Sequence, residues 1–171
     1  MLKIFSTQIS GYFKRIAEQE EMNIEDGARI LAQALVGDGR IHIYGSREMQ
    51  AVVAEALYGA EPLQGAQELC MDEITYADRV MIVSRFSTDE EAISLAKRLQ
   101  EEGHAIVGIS AVQEGTESLE QYVDAHIDTK LLKALIPDDE GVRYGFPSSI
   151  IALFAYYGLA FTVKEILSEY E

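Results

Sequence analysis

Cysteine is almost missing from this chain of 171 residues. Cys70 stands alone, so the chain has no intramolecular disulfide and no zinc site built on thiolates. It reads as a small buried apolar residue, and a reducing cytoplasm fits it. Positive charge is scarce: 14 Lys and Arg face 29 Asp and Glu, a net charge of −15. That sign argues against nucleic acid and anionic membrane surfaces as partners, although a local basic pocket remains compatible with it. No apolar run approaches the roughly 20 residues of a membrane span; the longest is Ile150 to Phe161. Met1 to Phe13 interleaves polar and apolar residues and lacks the hydrophobic region of a signal peptide. Repeats, low-complexity segments and linkers are absent. The length predicts one domain over residues 1–171 with its own buried core.

The most informative stretch is RIHIYGSREMQAVVAEALYG, Arg40 to Gly59. Arg40 to Tyr44 alternates, with Ile41 and Ile43 on one face and His42 and Tyr44 on the other. Gly45 permits a sharp turn and Ser46 suits a helix cap. Met49, Val52, Val53, Ala56 and Ala60 then recur at helical spacing. Such strand–turn–helix units gather at the C-terminal edge of an α/β sheet, where small ligands bind.

The rest of the chain continues the pattern. Leu2, Phe5, Ile9, Tyr12, Phe13 and Ile16 mark a first helix over residues 2–21. Asn23, with Asp26 three residues on, marks the start of a second, whose apolar stripe is Ile24, Ala28, Leu31 and Leu35. RVMIVS, residues 79–84, and HAIVGIS, residues 104–110, read as strands covered on both faces. Between them, Ser87 with Glu90 and Thr88 with Glu91 have capping-box spacing. VDAHIDT, residues 123–129, is a shorter strand, and residues 61–77 a loop with a short extended piece. DDEGVRYG, residues 138–145, is a polar loop. Pro147 stands near N1 of a last helix over residues 148–168, apolar almost all round in its first half. The alternation predicts an α/β three-layer sandwich: a parallel sheet of four to five strands, two N-terminal helices and a long C-terminal helix.

Parallel strands bring their ends to one rim. Ser46, Arg47, Ser84, Arg85, Ser87 and Thr88 meet there, with Ser110, Asp128 and Thr129 further along. Hydroxyls, guanidinium groups and helix N-termini suit a phosphate, and the polar remainder suits a sugar. The serines and Thr88 are equally what helix caps look like. Arg47 and Arg85 oppose a helix dipole unless an anionic ligand or a salt bridge compensates them.

The arrangement resembles the SIS (sugar isomerase) domain family. GDGRIHIYGSREMQAVVAEALYG resembles that family's first strand, serine-containing loop and helix. ADRVMIVSRFSTDEEAISLAKRLQEEGHAIVGIS resembles its second strand, phosphate loop, helix and third strand. The two N-terminal helices and long last helix are most similar to the phosphoheptose isomerase branch. The resemblance implies sugar-phosphate binding and a homo-oligomer, dimer or tetramer, with sites built at subunit interfaces. It also exposes departures. The first loop has only Gly45 before Ser46, and the Ser-Gly-Asn core of the second loop is replaced by Phe86-Ser87-Thr88. The position of the isomerases' catalytic glutamate is Ala56, with Glu55 beside it. A shift of one helical position turns a side chain by about 100°. The histidine that isomerases carry in the last helix has no counterpart here.

Aldose–ketose isomerisation needs a positioned acid and base. His104 falls at the start of a strand, and His42 and His126 inside strands, so all three read as structural. Glu48 and Glu55 are the remaining candidate bases. The expectation is a phosphosugar-binding or sensing module without turnover. A sugar-phosphate isomerase and an oligomeric interaction protein with no small ligand are the alternatives. No cofactor is implied: Gly37 and Gly39 precede the first strand, where a dinucleotide fingerprint must follow one. No metal-ligand spacing is present.

Overall fold

The computed structural model describes all residues, Met1–Glu171. The helices are α1 (Leu2–Gln19), α2 (Glu21–Val36), α3 (Gln50–Tyr58), α4 (Glu90–Glu101) and α5 (Ser148–Ser168). The central strands are β1 (Ile41–Gly45), β2 (Ala66–Glu68), β3 (Arg79–Phe86), β4 (Ala105–Ala111) and β5 (Ala125–Asp128). All pair in parallel, in the order β2-β1-β3-β4-β5. This is the expected α/β sandwich with five strands.

Alternation in β1 decides which layer each side chain enters. Ile41 and Ile43 join the core formed with α2, α3 and α5, around Ala28, Leu31, Val52, Met81, Val107 and Leu159. Tyr44 packs on the opposite face, where Val80, Ile82 and Ile106 meet α4 through Ile93, Ala96 and Leu99. A third cluster sets Ile9, Tyr12 and Ile16 of α1 against Ile151 of α5 and Leu131 to Ile136. The sheet is thus covered on both faces, which is why β3 and β4 read as near-continuous apolar runs.

His42 is fully buried in β1. Its Nε2 lies 3.2 Å from Asp78 Oδ2, and the same carboxylate accepts the amides of Arg40 and Thr75, each at 2.7 Å. The structural role expected for this histidine has its partner in Asp78. His126 in β5 places Nε2 2.6 Å from Ser110 Oγ, and burial pushes its pKa down. Ser110 is fully buried there, while His126 is half-buried and borders a surface depression shared with Glu20, Asn23 and Asp128.

Several local expectations need correction. Helix α2 begins at Glu21, not near Asn23, and only Glu20 separates it from α1. The buried Glu20 carboxylate receives Asn23 Nδ2 at 2.7 Å and Lys130 Nζ at 3.0 Å, so Asn23 serves a carboxylate, not the helix amides. Ser46 makes no capping bond: a 3-10 turn, Arg47–Met49, precedes α3. Neither Ser87 nor Thr88 caps α4; Asp89 does, accepting Ala92 N at 2.9 Å. Pro147 is the N-cap of α5, one place before the helix. The polar loop hides an antiparallel pair, β6 (Ile136–Pro137) and β7 (Arg143–Tyr144). Asp138 Oδ1 organises its turn by accepting the amides of Glu140 and Val142. Cys70 is only half-buried.

Helix α5 also corrects an expectation. By length and composition it is apolar enough to cross a membrane, because the tyrosines, glycine and threonine that interrupt its apolar residues add no charge. About a third of its most apolar window, 33%, is buried inside the protein. Ile151, Ala152, Ala155, Tyr156, Leu159 and Val163 supply that buried side. Ile150, Tyr157 and Phe161 stay exposed, so α5 is not covered on most sides by its own chain.

Candidate functional site

Sheet order fixes where a site forms. The chain runs from β1 outward to β2, then returns to the other side of β1 with β3. Strand order reverses between β1 and β3, and crevices at such reversals, beyond the carboxyl ends of the strands, are where open α/β sheets hold ligands. A cavity of about 380 Å³ lies there. From the β1 side it is lined by Ser46, Arg47 and Glu48, and from the β3 side by Arg85, Phe86, Thr88, Asp89, Glu90 and Glu91.

Gly45 makes the β1 side possible. A Cβ on it would stand 2.3 Å from the Met49 carbonyl oxygen, so the 3-10 turn folds back over the strand end only if this residue is glycine. The turn is entered through Arg47 at φ 51°, a left-handed conformation uncommon for a residue with a side chain.

The polar groups are largely engaged with one another. Arg85 Nε donates to Glu48 Oε1 at 2.5 Å and Nη2 to Glu48 Oε2 at 3.0 Å. Ser148 Oγ, at the start of α5, donates to the same carboxylate at 2.9 Å. Burial would push the Glu48 carboxyl up, but Arg85, its own amide and Ser148 outweigh that and hold it below the usual glutamate range. Glu48 in turn raises Arg85 further. Ser46 Oγ donates to Asp89 Oδ2 at 3.2 Å. Thr88 Oγ1 donates to Gln113 Oε1 at 2.7 Å. Arg47 takes part in no ion pair.

The cavity therefore gathers four of the six expected binding residues: Ser46, Arg47, Arg85 and Thr88. Ser84 and Ser87 lie beneath it, almost fully buried. Ser84 Oγ donates to Phe86 O at 2.8 Å, and Ser87 Oγ accepts Gln113 N at 2.9 Å, so both hold the loop's shape. Of the two candidate bases, Glu48 lines the cavity and Glu55 does not. Glu55 accepts from Tyr157 Oη at 2.6 Å on the α5 side of α3, while Ala56 beside it is fully buried. Ser110 contacts His126, and Asp128 accepts the amides of Val112 and Lys130. Sequence reasoning missed three partners, Ser148, Asp89 and Gln113. Only Asp89 carried a local signal, an aspartate directly before an acidic helix start.

The cavity's charge is mixed. Two guanidinium groups face four carboxylates, Glu48, Asp89, Glu90 and Glu91. No histidine lines it. A second depression of about 390 Å³, between α5 and residues 61–64, is walled by Leu63, Tyr157 and Phe161, with Glu61, Gln64 and Lys164 among its polar residues.

Comparison with known proteins agrees with the fold. A candidate phosphosugar isomerase of Silicibacter pomeroyi DSS-3 superposes with a TM-score of 0.69 at 14% identity, over 92% of this chain and 48% of the other, so this chain spans about half its length. An Escherichia coli CFT073 protein in complex with a sugar phosphate superposes with a TM-score of 0.68 at 12% identity, over 96% of this chain and 89% of that one. At such identities the likeness is one of fold, and the fold is that of the SIS-type proteins. The uncharacterized protein YwjG of Bacillus subtilis strain 168 is 45% identical over 172 residues, covering 99% of each chain. The family described as Domain of unknown function (DUF2529) matches residues 1–167, and this chain belongs to it.

Proposed function

We propose that this protein binds a sugar phosphate in the cavity between β1 and β3 and does not turn it over. One observation carries the reading: the cavity stands at the reversal of strand order and is lined by Arg47, Arg85 and the N-terminal turn of α4. A sugar phosphate bound to a protein of the same fold supports the ligand class. Arg47 and Arg85 contact the phosphate, Ser46 and Thr88 the sugar, and Ser84 and Ser87 keep the second loop in shape.

The absence of turnover rests on the acids. A proton shuttle needs a base with a pKa near working pH. Glu48 is held low by Arg85 and is already hydrogen-bonded by Ser148. Glu55 lies outside the cavity, on Tyr157. The phosphoheptose-isomerase-like alternative has its own test: interconversion of sedoheptulose 7-phosphate, abolished by Glu48→Gln or Glu55→Gln, restores the enzyme reading.

The binding experiment is thermal unfolding against a panel of sugar phosphates, with sulfate and free sugars as controls. A ligand at 100 times its dissociation constant stabilises by about 2.7 kcal/mol. The shift is expected to be selective for sugar phosphates and lost in Arg47→Ala. No shift across the panel, in wild type and in Glu48→Gln alike, overturns the proposal.

A second reading concerns assembly. Ile150, Tyr157 and Phe161 on α5, and Leu2 and Ile4 on α1, are exposed apolar side chains of the kind a homo-oligomer would cover. We propose a dimer or tetramer joined through these helices, acting in the cytoplasm. Sedimentation at micromolar concentration tests it, and a monodisperse monomer overturns it.

A further inference from the structure

Both anion-binding devices of the cavity already hold a carboxylate from the chain itself. The Arg85 fork is filled by Glu48, through two contacts at 2.5 and 3.0 Å. The α4 N-terminus is filled by Asp89, which accepts Ala92 N at 2.9 Å and Ser46 Oγ at 3.2 Å. Carboxylate and phosphate compete for the same bidentate guanidinium geometry. Arg47 is the one guanidinium in the cavity left without an anion.

The two carboxylates differ in how they are held. Asp89 caps a twelve-residue helix and is part of its start. Glu48 sits on the three-residue 3-10 turn entered through Arg47 at φ 51°. A non-glycine residue in left-handed backbone stores strain that a rearrangement of the turn can release. The Glu48–Arg85 pair is also open to solvent, its side chains 28% and 42% exposed. A ligand that opens this bidentate pair has to replace both guanidinium contacts, which a phosphate ester can do.

We propose that Glu48 is a built-in plug. Its carboxylate holds the place on Arg85 that the anionic group of an incoming phosphate ester takes, and the ligand displaces it. The inference rests on the sugar-phosphate reading above and adds regulation to that site. The displacement has a second consequence. Ser148 Oγ, in the first turn of α5, donates to the same carboxylate at 2.9 Å. When Glu48 leaves Arg85 it also leaves Ser148, and the first turn of α5 loses its tie to the site. Occupancy of the cavity is thereby transmitted to the helix whose outer side carries exposed Tyr157 and Phe161.

The test compares wild type with Glu48→Gln, titrated calorimetrically with inorganic phosphate and with the sugar phosphates of the panel. Glu48→Gln removes the competing charge at nearly constant shape, and affinity is expected to rise at least tenfold. Binding by the variant where wild type shows none also supports the plug. Equal or weaker binding by the variant overturns the plug and leaves the sugar-phosphate reading standing. No binding by either protein overturns both. A second measurement uses the wild-type chain and does not depend on the variant's folding. Hydrogen exchange of the amides over residues 148–152 is expected to speed up at saturating phosphate ester. In Ser148→Ala the exchange is expected to be fast with or without ligand. Unchanged exchange in the wild-type chain at saturation overturns the coupling.

Discussion

Replacing Asp78 by alanine tests the account of the strand bearing the first loop. The Asp78 carboxylate, 5% exposed, gathers four donors: Arg40 N and Thr75 N at 2.7 Å, Thr75 Oγ1 at 3.2 Å and His42 Nε2 at 3.2 Å. Each buried donor left without an acceptor costs about 1–3 kcal/mol. Water reaches the site from the exposed side and recovers part of that for the Thr75 groups. His42, fully buried, keeps only Gln67 Nε2, at 3.2–3.3 Å. The expected net loss is about 3–5 kcal/mol, the usual cost of breaking a buried polar cluster by removing one partner. Against a total stability of about 5–15 kcal/mol, that is a large fraction. Urea unfolding reads it as a lower midpoint at unchanged slope. The pH dependence follows from the direction of the shift. Burial raises the Asp78 carboxyl, but the Thr75 and Arg40 hydrogen bonds outweigh burial and depress it. Its contribution is therefore complete above the ordinary aspartate value of about 3.9 and is lost as pH falls through the lower folded value. The gap between wild type and Asp78→Ala should narrow only in that acid range. A loss under about 1 kcal/mol at pH 7, the ordinary size for a point change, refutes the assignment of Asp78 as the pin of this strand.

Other perturbations have equally definite outcomes. Gly45→Ala forces a Cβ to within 2.3 Å of the Met49 carbonyl oxygen, so the backbone must move; a loss of about 1–3 kcal/mol in thermal unfolding is expected, together with loss of phosphate-ester binding. Tyr156 is pushed up to about 12 by burial first and the Glu55 charge second, and Tyr44 and Tyr157 are raised as well, so ultraviolet titration should show a late-ionising group of phenols that includes Tyr156. Because the Tyr156 value is raised, its contribution to stability is full below pH 10 and falls as pH rises from about 10 to about 12. Arg47→Gly should stabilise by about 1 kcal/mol while weakening phosphate-ester binding, whereas Lys130→Gly should destabilise; calorimetry and thermal unfolding together separate the two.

The layers were legible in the sequence because burial has a period. Continuous apolar runs gave β3 and β4, and alternation placed Ile41 and Ile43 opposite Tyr44. The five-residue β1 and the last helix were marked in the same way. The site was half legible. A rim of strand ends follows from a parallel sheet, so Ser46, Arg47, Arg85 and Thr88 were found together. Their orientation was not, because it depends on partners distant in sequence. Ser148 reaches Glu48 across 100 residues and Gln113 reaches Thr88 across 25. Helix starts were misplaced for a related reason. Ser87, Thr88 and Asp89 all have capping chemistry, and the choice among them fell to Ser87 and Thr88 being drawn away by Gln113. The β6–β7 pair escaped notice because two-residue strands have no readable period.

Arg47 and Lys130 show how backbone strain can be divided between fold and site. They are the two non-glycine residues with positive φ, at 51° and 64°, and each follows the end of a parallel strand closely. Left-handed backbone costs about 1–2 kcal/mol per residue. At Lys130 the fold returns that cost. Its amide donates to Asp128 at 2.8 Å, and its Nζ meets the buried Glu20 carboxylate at 3.0 Å, which would otherwise lie between α1 and α2 without a cation. Glycine there would relieve the backbone and strand Glu20, so the lysine is the better residue for stability. At Arg47 nothing comparable is returned, since its side chain enters no ion pair and lines the cavity. What the conformation accomplishes is to turn the chain so that Glu48 faces Arg85. Strain without local compensation, placed where strand order reverses and next to an internally occupied guanidinium, is what the ligand site proposed above requires, whereas a loop selected for rigidity alone would do better with glycine at this position. The order of stabilities expected for the two glycine variants is the consequence of that difference, and it depends on no assumption about which sugar phosphate binds.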